Sequence, residues 1–510
     1  MTLSPSKIII PKIYHKQIEK SIDFASFVKK SCKKCIITHK RRLFLKVKEL
    51  ISKINLPARA SMGYLGASLV GKAIGLLTTP FFTRLVTEEE YGVLTLYMTV
   101  LGAISVVCSA FSTGGAIYRG FSRFEGKQND FLRSALVVST SFSLLVCTLF
   151  FAFWDYIGIP RVFFLPLLLQ ILCDSVIAIS MAKARYKYRY FEVMIVGILS
   201  SAIPAILSIL ILHRYGTTFG VRIYLLLFIS LIIAAVQLFR ILRTQGKVER
   251  KMLKYMLSAG IPLLPHTLSV ALSAQADKLF VTRIMGASSL AKYSVVHSLG
   301  IALQFVVTSL GSALGPWIIR RLDKGEKARI CPVVTMLFAL FSALSLGLCS
   351  VAPEAMRLLA PEKYLEALPA LFPIAISTPI SLVSYVTTVS LVHSGQGKYT
   401  AVISGMNLAL CVILNYTLVS AFGYFGAGLA LLISQLLSAL LGVMFLRLAG
   451  LSDIIAPIRI GGYLGFTILV GLATNLLYGQ AALRWVLIII PAVWGVVQLL
   501  KCKDLVMEAK

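Results

Sequence analysis

Apolar residues fall in long uninterrupted runs, and charged residues collect in the short gaps between them. Roughly 20 helical residues, rising about 1.5 Å each, cross the ~30 Å hydrocarbon core of a bilayer. On that measure the pattern predicts fourteen spans, at about 62–84, 91–117, 131–154, 160–181, 193–213, 220–239, 255–283, 293–317, 330–351, 369–392, 400–420, 424–446, 457–478 and 483–500. The predicted class is an all-α polytopic membrane protein. The widest external gap, near 352–368, leaves no room for a soluble catalytic domain outside residues 1–60.

Composition agrees. The 510 residues are 57% hydrophobic and 14% charged, with a mean hydropathy of +0.84. Soluble domains run at about 45–50% apolar and about 25% charged. The net charge of +30 would suggest nucleic acid in a soluble protein. Here the 51 Lys and Arg residues are sorted by side instead. With the N-terminus inside, and cations at a span's very end counted with the adjoining gap, the segment 1–60 holds 15, the cytoplasmic gaps and tail 25, the external gaps nine, and the span interiors only Lys72 and Lys278. This is the positive-inside bias, and it predicts both termini in the cytoplasm. Trp154, Trp317 and Trp485 fall near span ends, where an interfacial belt is expected.

Residues 1–60 carry apolar positions at helical spacing among those cations. The expectation is an amphipathic segment on the anionic inner leaflet. The alternatives are a dispensable leader or a true start at Met62. No cleavable signal peptide is evident, so the run after Ser61 is expected to act as an uncleaved anchor. The nine cysteines are odd in number and mostly intramembrane, which implies no disulfide framework. Cys32 and Cys35 form a lone CxxC with only His39 near, short of a zinc ligand set.

The chain is also internally doubled. Span 1 ends in Thr83-Arg84-Leu85 and turns into Tyr91 and Gly92; span 7 ends in Thr282-Arg283-Ile284 and turns into Tyr293. The resulting divisions are a basic segment (1–60), a first lobe of spans 1–6 (61–250), a second lobe of spans 7–12 (251–450), and spans 13–14 with a tail (451–510). Repeated bundles around a central site are a transporter signature.

Few charges sit inside spans, and each is a functional candidate because burying it is costly. Lys72 lies near mid-depth of span 1, where an ammonium can hold a phosphate or pyrophosphate by charge-assisted hydrogen bonds. A packing pair is its plainer reading. Asp277 and Lys278 are adjacent, about 100° apart on a helix, so they cannot pair as i,i+4 partners. Asp277 is a candidate proton or cation site; the alternative is that both brace the external gate. Asp174 is either a helix–helix tie or a cavity charge. His266 can titrate, though a lone histidine in a bundle is more often a satisfied core residue. Pro262 and Pro265 delete backbone donors and should bend span 7. Arg84, Tyr91, Gly92 and Arg283 complete the gating candidates. Glu88-Glu89-Glu90 is expected to serve a helix N-terminus. Arg119, Arg123, Lys183, Arg185, Lys187 and Arg189 either funnel an anionic headgroup or simply set topology. No metal cluster, P-loop or catalytic carboxylate pair is present in the sequence.

The stretch Pro80-Phe-Phe-Thr-Arg-Leu-Val-Thr-Glu-Glu-Glu-Tyr-Gly92 resembles the first loop of Wzx-type O-antigen flippases, polysaccharide transporters of the multidrug/oligosaccharidyl-lipid/polysaccharide (MOP) exporter superfamily. Gly260-Ile-Pro-Leu-Leu-Pro265, Asp277-Lys278 and Tyr293-Ser-Val resemble the start of that family's second half. The resemblance implies two six-helix MATE-like lobes plus two C-terminal helices in the bacterial inner membrane. It implies no enzyme and no cofactor, with coupling to H+ or Na+. The substrate would be a polyprenyl-pyrophosphate-linked oligosaccharide, and the partners membrane lipids and polysaccharide polymerase or assembly proteins, with no nucleic acid. A MATE-type drug or cation antiporter, a lipid II-type precursor flippase and a membrane polymerase or ligase are the alternatives.

Overall fold

A computed structural model describes residues 56–112, 115–216, 219–487, 489, 491–497 and 500. The basic segment up to residue 55, and the side chain of Lys72, lie outside the described residues.

The described elements are helices, as a lipid-embedded backbone requires when no water can satisfy its polar groups. α1 (Leu56–Leu85) and α2 (Glu88–Cys108) make the first hairpin. Its turn is set locally. Thr87 accepts from the Glu90 amide at 3.2 Å and the Glu90 carboxylate accepts from the Thr87 amide at 3.0 Å, a reciprocal cap that starts α2. The short helix α3 (Gly115–Arg123) leads to α4 (Gln128–Phe151), and α5 (Phe164–Tyr186), α6 (Tyr190–Tyr215) and α7 (Gly220–Arg243) complete the first lobe. The second begins with α8 (Arg250–Gly260), α9 (Leu264–Ser273) and α10 (Ala276–Met285), then α11 (Ala287–Gly300) and α12 (Ala302–Asp323). It closes with α13 (Ile330–Leu359), α14 (Leu371–His393) and α15 (Gly397–Leu448); α16 (Pro457–Leu476) and α17 (Ala481–Leu487) follow.

Eleven helices among the described residues are long and apolar enough to span a membrane. One of them, α15, is two arms joined at Gly423, whose φ of 55° and ψ of −129° break the helix where the hydropathy pattern separates spans 11 and 12. That second arm, α1 and the shorter apolar helix Ala482–Val497 fill the remaining predicted positions.

Three expectations change. Span 7 is not one bent rod but three helices: a 3-10 turn at Ile261–Leu263 follows the proline signal, and a second break after Ser273 carries none. Span 8 is divided at Ile301 into α11 and α12. There Gly300 packs so closely on α14 that a Cβ would lie 2.5 Å from Ile374 Cγ2. Trp154 is 1% exposed, clasped edge-on by Phe150 and Phe164, and so belongs to the core rather than to an interfacial belt.

The buried residues show how the lobes meet. At the outer end, defined by the loops poor in Lys and Arg, one apolar core runs through both lobes. Tyr97, Val100 and Leu167 of the first join Leu290, Tyr293 and Leu371 of the second. At the inner end the first lobe has a separate core around Phe111, Phe121 and Phe131, and Met252 and Met256 of α8 are buried in it. α10, by contrast, packs on α11 and α15. The seventh span therefore starts in the core of one lobe and ends in the other.

Candidate functional site: two closures and the buried charges between them

The outer closure is built on a backbone contact. Gly92, one turn into α2, lies so near the start of α11 that a Cβ on it would sit 1.9 Å from the Ala287 carbonyl oxygen. Only glycine fits this approach. Glu88 extends the seam: its carboxylate accepts from Ser288 at 2.7 Å and pairs with Lys363 at 2.9 Å and Lys292 at 3.6 Å. Lys292 also meets Glu366 at 2.5 Å. Thr83 donates to the Leu359 carbonyl at 3.0 Å, and the exposed Arg84 donates to the Arg357 and Leu358 carbonyls at 3.2–3.4 Å. The end of α1 thus satisfies the open C-terminal carbonyls of α13, which have no partner inside their own helix. Tyr91 lies beside Thr79 and Arg222.

At the inner end the lobes meet through α8. Gly260, at the end of α8, abuts the Phe111 ring, where a Cβ would approach Cε1 to 2.2 Å. The linker between the lobes is strapped to the start of α4. Arg133 donates to the Leu242, Thr244 and Gly246 carbonyls at 2.7 Å each, and Asp130 accepts from the Lys247 amide at 2.6 Å. Lys127 pairs with Glu249 at 2.8 Å, and that hydrogen bond raises the pKa of its ammonium. Pro262 and Pro265 stand exposed at the joint between α8 and α9.

Between the closures, Asp277 is 4% exposed in the first turn of α10. Its Oδ2 accepts from the Tyr293 hydroxyl at 2.7 Å and lies 3.2 Å from His297 Nε2. His297 was not among the sequence candidates, although Tyr293 and His297 stand four apart and so share a helix face. Several polar atoms around them have no hydrogen-bond partner among the described residues: Ser273 Oγ, Gln275 Oε1, His297 Nδ1 and Asn415 Oδ1. Cys411 links two of these residues, touching the Ser273 carbonyl at 3.6 Å and Asn415 Nδ2 at 3.4 Å. Buried polar atoms are seldom left unpaired, so this cluster of side chains has hydrogen-bonding capacity to spare. Lys278 occupies the next position, partly buried.

Asp174 is held within the first lobe. Gln170 Nε2 donates to it at 2.9 Å and to Ser230 at 2.8 Å, and Ser105 of α2 approaches at 3.4 Å. The arrangement joins α2, α5 and α7. His266 is exposed on α9 rather than satisfied in a core, and Arg283 is exposed at the end of α10. Arg222, near the outer end of the sixth predicted span and counted with its external gap, stacks over the Phe82 ring at 4.2 Å. Its Nη1 has no hydrogen-bond partner among the described residues. No group of three metal-ligating side chains occurs among the described residues.

Residues 59–321 match the family described as polysaccharide biosynthesis protein. The chain belongs to this family. A Haemophilus influenzae protein of the Lsg locus is 23% identical to this family member over 52% of the chain and 66%, just under two thirds, of the relative. Two solved structures share its fold. The lipid II flippase MurJ, in an inward closed conformation, superposes with a TM-score of 0.69 at 13% identity, covering 87% of this chain and 99% of MurJ. An inward-facing multidrug MATE transporter of the MOP superfamily gives 0.59 at 15% identity, covering 79% and 98%. This member of the polysaccharide biosynthesis protein family is thus a polytopic all-α membrane protein with the fold of MurJ and the MATE transporters.

Proposed function

We propose that the protein moves a polyprenyl-pyrophosphate-linked oligosaccharide from the cytoplasmic to the outer leaflet of a bacterial inner membrane by alternating access. The observation that carries this reading is the divided seventh span. α8 is buried in the inner core of the first lobe, α10 packs within the second, and a proline-bearing joint separates them. A segment so shared must bend or slide when the lobes part at either end, so the two closures would be alternatives rather than one fixed seal. The family description supports a glycan-related cargo.

In this reading Lys72 binds the pyrophosphate, Arg222 meets the same anion nearer the outer end, and Asp277 with His297 holds the coupling proton or Na+. Both termini lie in the cytoplasm, where polymerase and assembly proteins would be reached. The protein would make and break no covalent bond, and needs no cofactor.

Leaflet-resolved labelling of the lipid-linked oligosaccharide in depleted cells tests the cargo. Accumulation on the cytoplasmic side, relieved by wild type and not by a stably made Lys72→Ala protein, is expected. Normal outer-leaflet delivery without another flippase would replace this reading with the antiporter one.

A further inference from the structure

The first lobe carries a built groove set apart from the outer closure, with its inner mouth bordering the linker strapped to α4. α6 and α7 enclose a space of about 620 Å³ whose walls include Phe191, Ile195 and Leu199 on one side and Ile232 and Val236 on the other. It opens sideways: Phe191 is 62% exposed. It starts at Arg189 and reaches Leu199, which is about 15 Å along the helix, half of the ~30 Å hydrocarbon core. The groove is therefore as deep as one leaflet.

Its inner mouth is charged. A second cavity of about 250 Å³ shares Arg189, Glu192 and Arg240 with the groove and adds Lys183 and Lys187. The chain enters α6 through a tight turn in which Tyr188 takes a left-handed φ of 54°, uncommon for a residue with a Cβ. The Arg189 amide there donates back to the Ala184 carbonyl at 2.8 Å, which fixes Arg189 at the mouth. Glu192 pairs with Arg240 at 2.7 Å and with Arg189 at 3.2 Å. Lys183 donates to the neutral Asn129 Oδ1 at 2.9 Å. Four cations thus converge at a mouth lined by one carboxylate, and an apolar slot of leaflet depth runs from it.

We propose that this groove binds an anionic diacyl phospholipid of the inner leaflet, its phosphate held by Arg189, Arg240 and Lys187 and one acyl chain laid between α6 and α7. Charge complementarity selects the headgroup, because the excess cations would otherwise face the low-dielectric interface alone. The depth selects a chain made for a single leaflet. The lining comes entirely from the first lobe, so the movements that open either closure would leave the groove intact. It is a site for a resident lipid rather than a station on the transport route.

Native mass spectrometry of the full-length protein, released from micelles supplemented with phosphatidylglycerol or phosphatidylcholine, tests it. Retention of one phosphatidylglycerol, at least tenfold over phosphatidylcholine, is expected. Arg240→Gln combined with Lys187→Gln should cut that preference at least tenfold. Leu199→Trp should weaken phosphatidylglycerol binding without altering any charge, which covers the case in which the charge variant fails to fold. Equal retention of the two lipids would overturn the proposal. So would preferential retention of polyprenyl phosphate over phosphatidylglycerol, which would hand the groove to the substrate. Neither result bears on whether the protein flips a glycan lipid.

Discussion

Gly92 and Ala287 meet backbone to backbone across the two lobes, and no side chain fits between them. The contact lies at the head of an apolar core that both lobes share. Gly92→Ala should therefore force the outer ends apart. The expected result is a protein that folds, labels more readily with a membrane-impermeant thiol reagent at an outer-seam cysteine, and transports at least tenfold more slowly. Unchanged labelling would remove the contact from the closure.

Glu88 ties the same seam by charge. Its ion pairs with Lys292 and Lys363 are partly exposed, and such pairs contribute about 0.2–1 kcal/mol each and are screened by salt. Glu88→Gln should open the outer end only a few-fold, and the gap between variant and wild type should shrink in high salt. An opening as large as that of Gly92→Ala would mean that the ion pairs, not the backbone contact, hold the seam.

At the inner end, Met256 of α8 is fully buried in the core of the first lobe. Met256→Ala leaves a cavity, and truncations of this kind cost about 2–5 kcal/mol. Cysteine accessibility near Gly260 should rise while the outer seam stays closed. If both ends opened together, the two closures would not be independent.

Asp277 accepts from Tyr293 and faces His297 in a pocket with unpaired polar atoms. Asp277→Asn keeps the shape and removes the charge. In proteoliposomes it should lower the initial transport rate at least tenfold and abolish its response to an imposed H+ or Na+ gradient. His297→Gln should weaken the same response. A variant that retains the full gradient response would exclude this pocket from coupling.

Arg484 of α17 is 2% exposed and grips Glu354 of α13 in a two-pronged pair at 2.7 and 2.8 Å, with the Ser350 carbonyl at 3.0 Å. The Glu354 side chain is 36% exposed and can turn to solvent once its partner is removed, so the cost falls below the ~3–5 kcal/mol of a fully buried pair. Arg484→Ala should lower thermal stability by several degrees in detergent, whereas Arg161→Ala, in an exposed pair with Asp155, should change little.

Much of the fold was legible in the sequence, because span length and apolar runs are local properties. The division of α15 at Gly423 follows the same signal. The site was legible only in outline. Asp277 stood out as a charge in an apolar run, but its partner His297 read as part of the next helix. Glu88 read as a helix-start residue because the turn does contain a capping box, made by Glu90. Its ties to Ser288, Lys292 and Lys363 join positions about 200 to 275 residues apart, and no local pattern encodes them. Arg222 was hidden by its place at a span boundary, where a cation needs no explanation. The second break in span 7 has neither proline nor glycine, so it arises from how α9 and α10 pack on α15 rather than from a local breaker.

The most direct test joins closure to cargo. Glu88→Cys and Ser288→Cys, in a background with the native cysteines replaced, would place thiols on two residues now in hydrogen-bond contact. Flipping of a polyprenyl-pyrophosphate oligosaccharide is then measured in proteoliposomes before oxidation, after it, and after reduction. The account predicts transport that stops when the disulfide forms and returns when it is reduced. Continued flipping with the outer end locked would contradict it.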